Sequence, residues 1–240
     1  MSGVSLWLAL TALIGGIPQP MATGSDVIRA MHARYQGRWY RTLSFVQRAI
    51  YPDGRPEEEW WEAALIPGRL RIDIAPVDSG RTIMYRADSN YVFEKGKLVR
   101  AVPGQNILAI LGFDVYGQAP ERTIGLVQGE GFDLSKLQDG EWGGKAAYVI
   151  GGGGRELWIE KDRLLFLKVI QPGPGGTSTD ISFNKYVKLG GGWIGTEVLF
   201  LRNDKEFFRE VYRDWKINPQ VTDELFQTSP WRRAAWIPKP

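Results

Sequence analysis

The feature that most limits what this chain can become is a long run of short strand-like segments, each closed by only a few turn residues. Residues 39–51, 60–65, 70–74, 81–86, 90–94 and 98–102 are rich in aromatic and β-branched side chains. Pro52-Asp53-Gly54 and Lys95-Gly96-Lys97 punctuate them as turns. A second series follows at 145–150, 156–160, 164–171, 179–189, 193–202 and 206–217, with turns at Lys161-Asp162 and Asn203-Asp204. Such short connections leave no room for crossover helices within either series, so the pairing must be antiparallel.

Helical spacing occurs in two places. Ser25 is placed to cap a first helix carrying Val27, Ile28, Met31 and Tyr35, and Gly37 ends it. Between the two strand series, residues 106–111 and 121–128 form two short helices joined by a Gly/Pro-containing loop, with Pro120 at the second start. The order is helix, β meander, helical insert, β meander. The expected class is α+β: a curved antiparallel sheet forming an unclosed β-barrel, with helices covering the concave face. Residues 223–226 add a helical turn, and residues 231–240 form a tail that either packs through Trp231 and Trp236 or stays mobile.

The apolar run at residues 6–17 is shorter than the ~20 residues a bilayer span requires. Pro18 and Pro20 break it, and Ala22, Thr23 and Gly24 follow, although no Lys or Arg precedes it. Residues 1–22 therefore read as a secretory signal, residues 23–230 as one domain, and the mature protein as a monomer with no transmembrane segment. The chain has no Cys, which excludes disulfides, thiol chemistry and an N-terminal lipid-bearing cysteine. A net charge of +3 with no basic block gives no footprint for nucleic acid.

Catalytic readings fail one by one. Gly151–Gly154 follows a strand, but the sequel RELWIEKD alternates like another strand where a phosphate loop would open a helix. His32 is the single histidine, and no Gly-x-Ser-x-Gly motif accompanies it. Glu57-Glu58-Glu59 alternate across a strand and cannot converge on one ion, so they are expected to solvate a hairpin and blunt a sheet edge. The sequence thus points to no enzyme, no metal and no cofactor. It carries instead ten Trp, nine Tyr and ten Phe. That apolar area suits a cavity enclosed by a curved sheet, with residues 107–111 as its cover. The expected lining is Phe45, Trp60, Ile66, Leu70, Ile72, Ile83, Tyr85, Phe93, Ile107, Leu108, Leu111, Leu157, Phe166 and Phe183.

The chain resembles the LolA-like family of periplasmic lipoprotein carriers and sensors. The resemblance rests on the order of several features: the signal-like segment and short first helix; Phe45-Val46-Gln47; a Trp-bearing strand leading to Pro67-Gly68-Arg69-Leu70-Arg71; the strand at residues 91–93; the helical insert; and WKINPQVTDELF at residues 215–226. It implies an unclosed barrel with a helical lid over an apolar cavity. It further implies a soluble periplasmic protein that holds acyl chains of lipids or acylated lipoproteins and carries them toward the outer membrane. An inner-membrane release complex and an outer-membrane acceptor would be its partners. The alternative within the family is an envelope sensor that does not transport. Leu70 matches a bulky position near the cavity mouth. Ile66 falls where the carriers have an arginine that latches the lid, so the lid must be held differently here.

Overall fold

The computed structural model describes residues 21–86 and 89–238. The signal-like segment at 1–20 lies outside the described residues.

Helix α1 spans Gly24–Tyr35. Its cap is Thr23, not Ser25: Thr23 accepts from the Asp26 N–H while the Asp26 carboxylate accepts from the Thr23 N–H. This reciprocal pairing satisfies two otherwise orphaned donors, and the acid at the helix start also suits the dipole. Val27, Ile28, Met31 and Tyr35 are buried, as their spacing requires.

Six strands follow: β1 (Thr42–Ile50), β2 (Glu58–Leu65), β3 (Arg69–Ile74), β4 (Thr82–Arg86), β5 (Ser89–Glu94) and β6 (Lys97–Pro103). The chain then enters helix α2 (Ile107–Gly112), a 3-10 turn (Asp114–Tyr116) and helix α3 (Pro120–Gly129). Seven strands complete the sheet: β7 (Leu137–Trp142), β8 (Lys145–Gly152), β9 (Arg155–Glu160), β10 (Phe166–Pro172), β11 (Ser178–Leu189), β12 (Gly192–Arg202) and β13 (Lys205–Ile217). Sequence periodicity misses β7, because LQDGEW has no β-branched residue and forms a largely solvated edge.

Every pairing is antiparallel, and the order is β6-β5-β4-β3-β2-β1-β13-β12-β11-β10-β9-β8-β7. The chain starts at the centre of the sheet, meanders out to the β6 edge, crosses, and meanders back from the β7 edge until β13 pairs with β1. The two edges do not pair with each other, so the sheet curves without closing. The only continuous path from one edge to the other runs through α2 and α3, and α2 borders the same cavity as the concave-face strands. Tight hairpins fix the register: Lys95-Gly96 and Asn203-Asp204 both have two consecutive positive φ values, the geometry that matches strand twist.

β2 lies between β1 and β3, so the Glu57–Glu59 run does not blunt an edge. Glu58 accepts from Trp60 Nε1 at 3.0 Å and pairs with Arg81, Glu57 pairs with Arg48, and Glu59 pairs with Arg213. These are interstrand and local charge pairs on a central strand.

The convex face is covered too. Arg71 forks onto Asp73 with two bonds of 2.9 Å and donates to the carbonyls of Leu225 and Arg232. Thr82 Oγ1 donates to Asp73, and Trp231 Nε1 donates to Thr82. Phe226 buries against Met84 and Phe93, while Ala234 and Ile237 bury against Val77. The C-terminal segment is therefore packed, through Trp231 and through Trp236 beside Trp61.

Candidate functional site

One half of the concave face is filled and the other is not. Ile150 on β8 packs against the start of α1 and is wholly buried, as are Val127 on α3, Leu157 on β9 and Leu165. Beneath α2, a cavity of about 450 Å³ remains, within the ~300–1,000 Å³ typical of ligand pockets.

Strand parity explains its walls. Phe45 and Gln47 on β1, Trp60 and Glu62 on β2, Leu70 and Ile72 on β3, and Ile83 and Tyr85 on β4 share the inward face. Ile181 and Phe183 on β11 and Phe208, Glu210 and Tyr212 on β13 do the same across the curve. Ile107, Leu108, Ala109 and Phe113 form the roof. Phe45 is the hub of an aromatic wall, with ring centroids 4.1 Å from Trp215, 5.4 Å from Tyr212 and 6.4 Å from Phe113.

Of the fourteen residues expected from sequence, nine border this cavity: Phe45, Trp60, Leu70, Ile72, Ile83, Tyr85, Ile107, Leu108 and Phe183. Five do not. Leu111 on α2, Leu157 and Phe166 are packed into the core with no exposure, and Phe166 packs edge-on against Phe183 at 5.2 Å. Ile66 packs at the rim of the core, 3.8 Å from where a Cβ on Gly117 would sit. Phe93 faces the convex side, because it pairs with Thr82 while Val92 pairs with inward-facing Ile83. Sequence reading missed Trp193, Phe200, Phe208, Tyr212 and Trp215; the alternation Phe208-Glu210-Tyr212 was the available signal.

The lid is held by a cap at the start of α2 and by two polar ties in the 3-10 turn that follows it. Asn106 caps α2 by accepting from the N–H groups of Leu108 and Ala109. Asp114 accepts from the Gly68 N–H at 3.1 Å, joining the crossover to the β2–β3 turn. Burial pushes the Asp114 carboxyl up to about 7, against the pull of that hydrogen bond and of Arg122. The Phe166 N–H donates to the Tyr116 hydroxyl at 3.0 Å, tying the same 3-10 turn to the residue that opens β10. Gly112 seats α2 closely: a Cβ there would lie 3.0 Å from the Phe183 ring.

The floor is not wholly apolar. Glu62 is 3% exposed, and its Oε1 has no hydrogen-bond partner among the described residues. Burial, reinforced by the charge of Glu210, pushes its carboxyl well above the usual range. Burial pushes Glu210 up to about 7, opposed by a bond from the Tyr212 hydroxyl. Among the described residues no group of three or more acidic or histidine side chains is placed to hold a metal, and no helix is long and apolar enough to cross a membrane.

No protein-family model and no curated protein matches the sequence. Solved structures do match. A DUF1329 family protein from Desulfovibrio piger superposes with a TM-score of 0.61 at 16% identity, covering 87% of this chain and 98% of its own. A domain named as an outer membrane lipoprotein-sorting protein, from Vibrio parahaemolyticus, gives 0.58 at 12% identity, covering 85% and 95%. A LolA superfamily protein from Nitrosomonas europaea gives 0.54 at 14% identity, covering 86% and 98%. With an unclosed antiparallel sheet, a helical crossover over its concave face and these neighbours, the chain has the LolA-like fold.

Proposed function

We propose that the cavity under α2 holds an aliphatic chain of a lipid or acylated lipoprotein, and that the protein carries it through the periplasm toward the outer membrane. The supporting observation is the unfilled, aromatic-walled part of the concave face, roofed by a short helix that is tied down through the turn at its C-terminal end. An ordinary core would be packed to crystal-like density there, as the other half is. The driving force would be removal of apolar surface from water, about 25 cal/mol per Å² and about 0.8 kcal/mol per buried methylene. Release would require α2 to move, with partner complexes at the inner and outer membranes supplying and accepting the cargo.

Uptake of the neutral fluorescent probe N-phenyl-naphthylamine tests binding, with displacement by a monoacylglycerol. Ala109→Trp, which places an indole in the cavity from the roof, should abolish uptake with the fold intact. Native mass spectrometry of protein prepared from periplasm should show bound lipid. A protein that carries no lipid and takes up no probe would refute the proposal.

A further inference from the structure

The acidic floor asks for something that an alkyl chain does not supply. Glu62 and Glu210 both border the cavity, on strands either side of β1. In the register of the sheet, Glu62 stands opposite Phe45, and Glu210 stands opposite Ala49. Gln47, between those two positions on β1, stands opposite Tyr212 and Trp60. The carboxylates therefore flank Gln47 diagonally across the curved floor, near enough that Glu210 raises the pKa of Glu62. Glu62 is almost wholly buried, and one of its oxygens is left without a partner.

No lining residue is Lys, Arg or His. The other titratable groups facing the space are Tyr85 on β4, Tyr186 on β11 and Tyr212 on β13, all with hydroxyls driven toward the neutral form by burial. Two cations act on these tyrosines from outside the lining: Arg100 on β6, which acts on Tyr85, and Arg163, which acts on Tyr186 from 5.7 Å above its ring and lies 4.5 Å from the Trp193 ring. A carboxylate without a cation in a low-dielectric site is costly unless a ligand brings the countercharge.

Resting on the aliphatic-cargo reading above, we infer that the Glu62–Glu210 floor is a subsite for a positively charged amine at the polar end of an amphiphilic ligand. The alkyl chain packs against Phe45, Leu70, Ile72 and Phe183, and the ammonium donates to the partnerless oxygen of Glu62, with the Glu210 carboxylate adding its charge from across β1. An anionic head meets repulsion and an alcohol gains only neutral hydrogen bonds. Because the ammonium displaces protons from the acids, its binding is accompanied by proton release.

Binding of dodecylamine, dodecanol and dodecanoate to the purified full chain, read by displacement of the neutral probe, tests this. At about pH 8 the amine should bind about tenfold or more tighter than the alcohol, and the carboxylate weakest. At about pH 5.5, with both acids protonated, the amine-to-alcohol ratio should fall toward one. Calorimetry in buffers of different ionisation enthalpy should detect the released proton on the unaltered protein, independently of whether any variant folds. In the Glu62→Gln/Glu210→Gln protein the amine-to-alcohol ratio at about pH 8 should also fall toward one. Equal binding of all three ligands with no proton release would overturn the amine subsite while leaving the aliphatic cavity standing. Failure of all three to displace the probe, or of the probe to bind, would overturn both.

Discussion

The Gly68 N–H points at Oδ1 of Asp114 across 3.1 Å, and this single bond joins the β2–β3 turn to the helical crossover. Removing the acceptor with Asp114→Ala leaves a half-buried donor unsatisfied and should cost about 1–3 kcal/mol. Hydrogen exchange should then rise in α2 first, before the strands. Asp114→Asn, which retains an acceptor, should spare the exchange pattern.

The same carboxyl sets a pH dependence. Its pKa rises from 3.8 unfolded to about 7 folded, so the folded state holds the proton more tightly. Its stabilising contribution is full below the unfolded value and is lost as pH rises through about 7, a swing of roughly 4 kcal/mol at most. Glu210, raised from 4.5 to about 7, acts in the same direction. Urea melts from pH 4 to 8 should show stability falling through this window, and Asp114→Asn should flatten the fall. A stability rising with pH across the window would contradict the assignment.

Gly112 should be sensitive to any side chain. A Cβ there meets the Phe183 ring at 3.0 Å, so Gly112→Val must lift α2 or displace the ring. The expected cost is about 1–3 kcal/mol from overpacking. Release of the fluorescent probe in stopped flow should also become faster, because the roof no longer seats.

On the opposite face, Arg71 and Asp73 form a buried pair that also holds the carbonyls of Leu225 and Arg232. Arg71→Ala leaves Asp73 buried without its cation, with an expected loss of about 3–5 kcal/mol. Limited proteolysis should then cut after residue 220 in the variant while leaving the wild type intact.

The fold was largely legible because strand alternation and hairpin turns are local signals. Lys95-Gly96 and Asn203-Asp204 mark their turns by composition alone. The cavity was legible only in part, for a physical reason. Both faces of this sheet are covered, one by helices and one by the segment from Phe226 to Ile237, so apolar residues occupy both parities. Phe93 looks as suitable for the cavity as Val92, yet it faces the C-terminal segment. Leu157 and Phe166 are packed into the core away from the cavity, and no local pattern distinguishes filled space from empty space. Glu62 and Glu210 read as ordinary exposed strand acids until the register turns them inward.

An aliphatic chain held in this half-filled sheet would lie beside tryptophan side chains. Trp60, Trp193 and Trp215 border the cavity, among ten tryptophans in the chain. Titration with a bromine-labelled neutral long-chain alcohol should quench tryptophan fluorescence saturably at one equivalent. The quenching should disappear when these three residues are replaced by Phe. Absence of saturable quenching, or quenching that persists in the triple variant, would contradict the account.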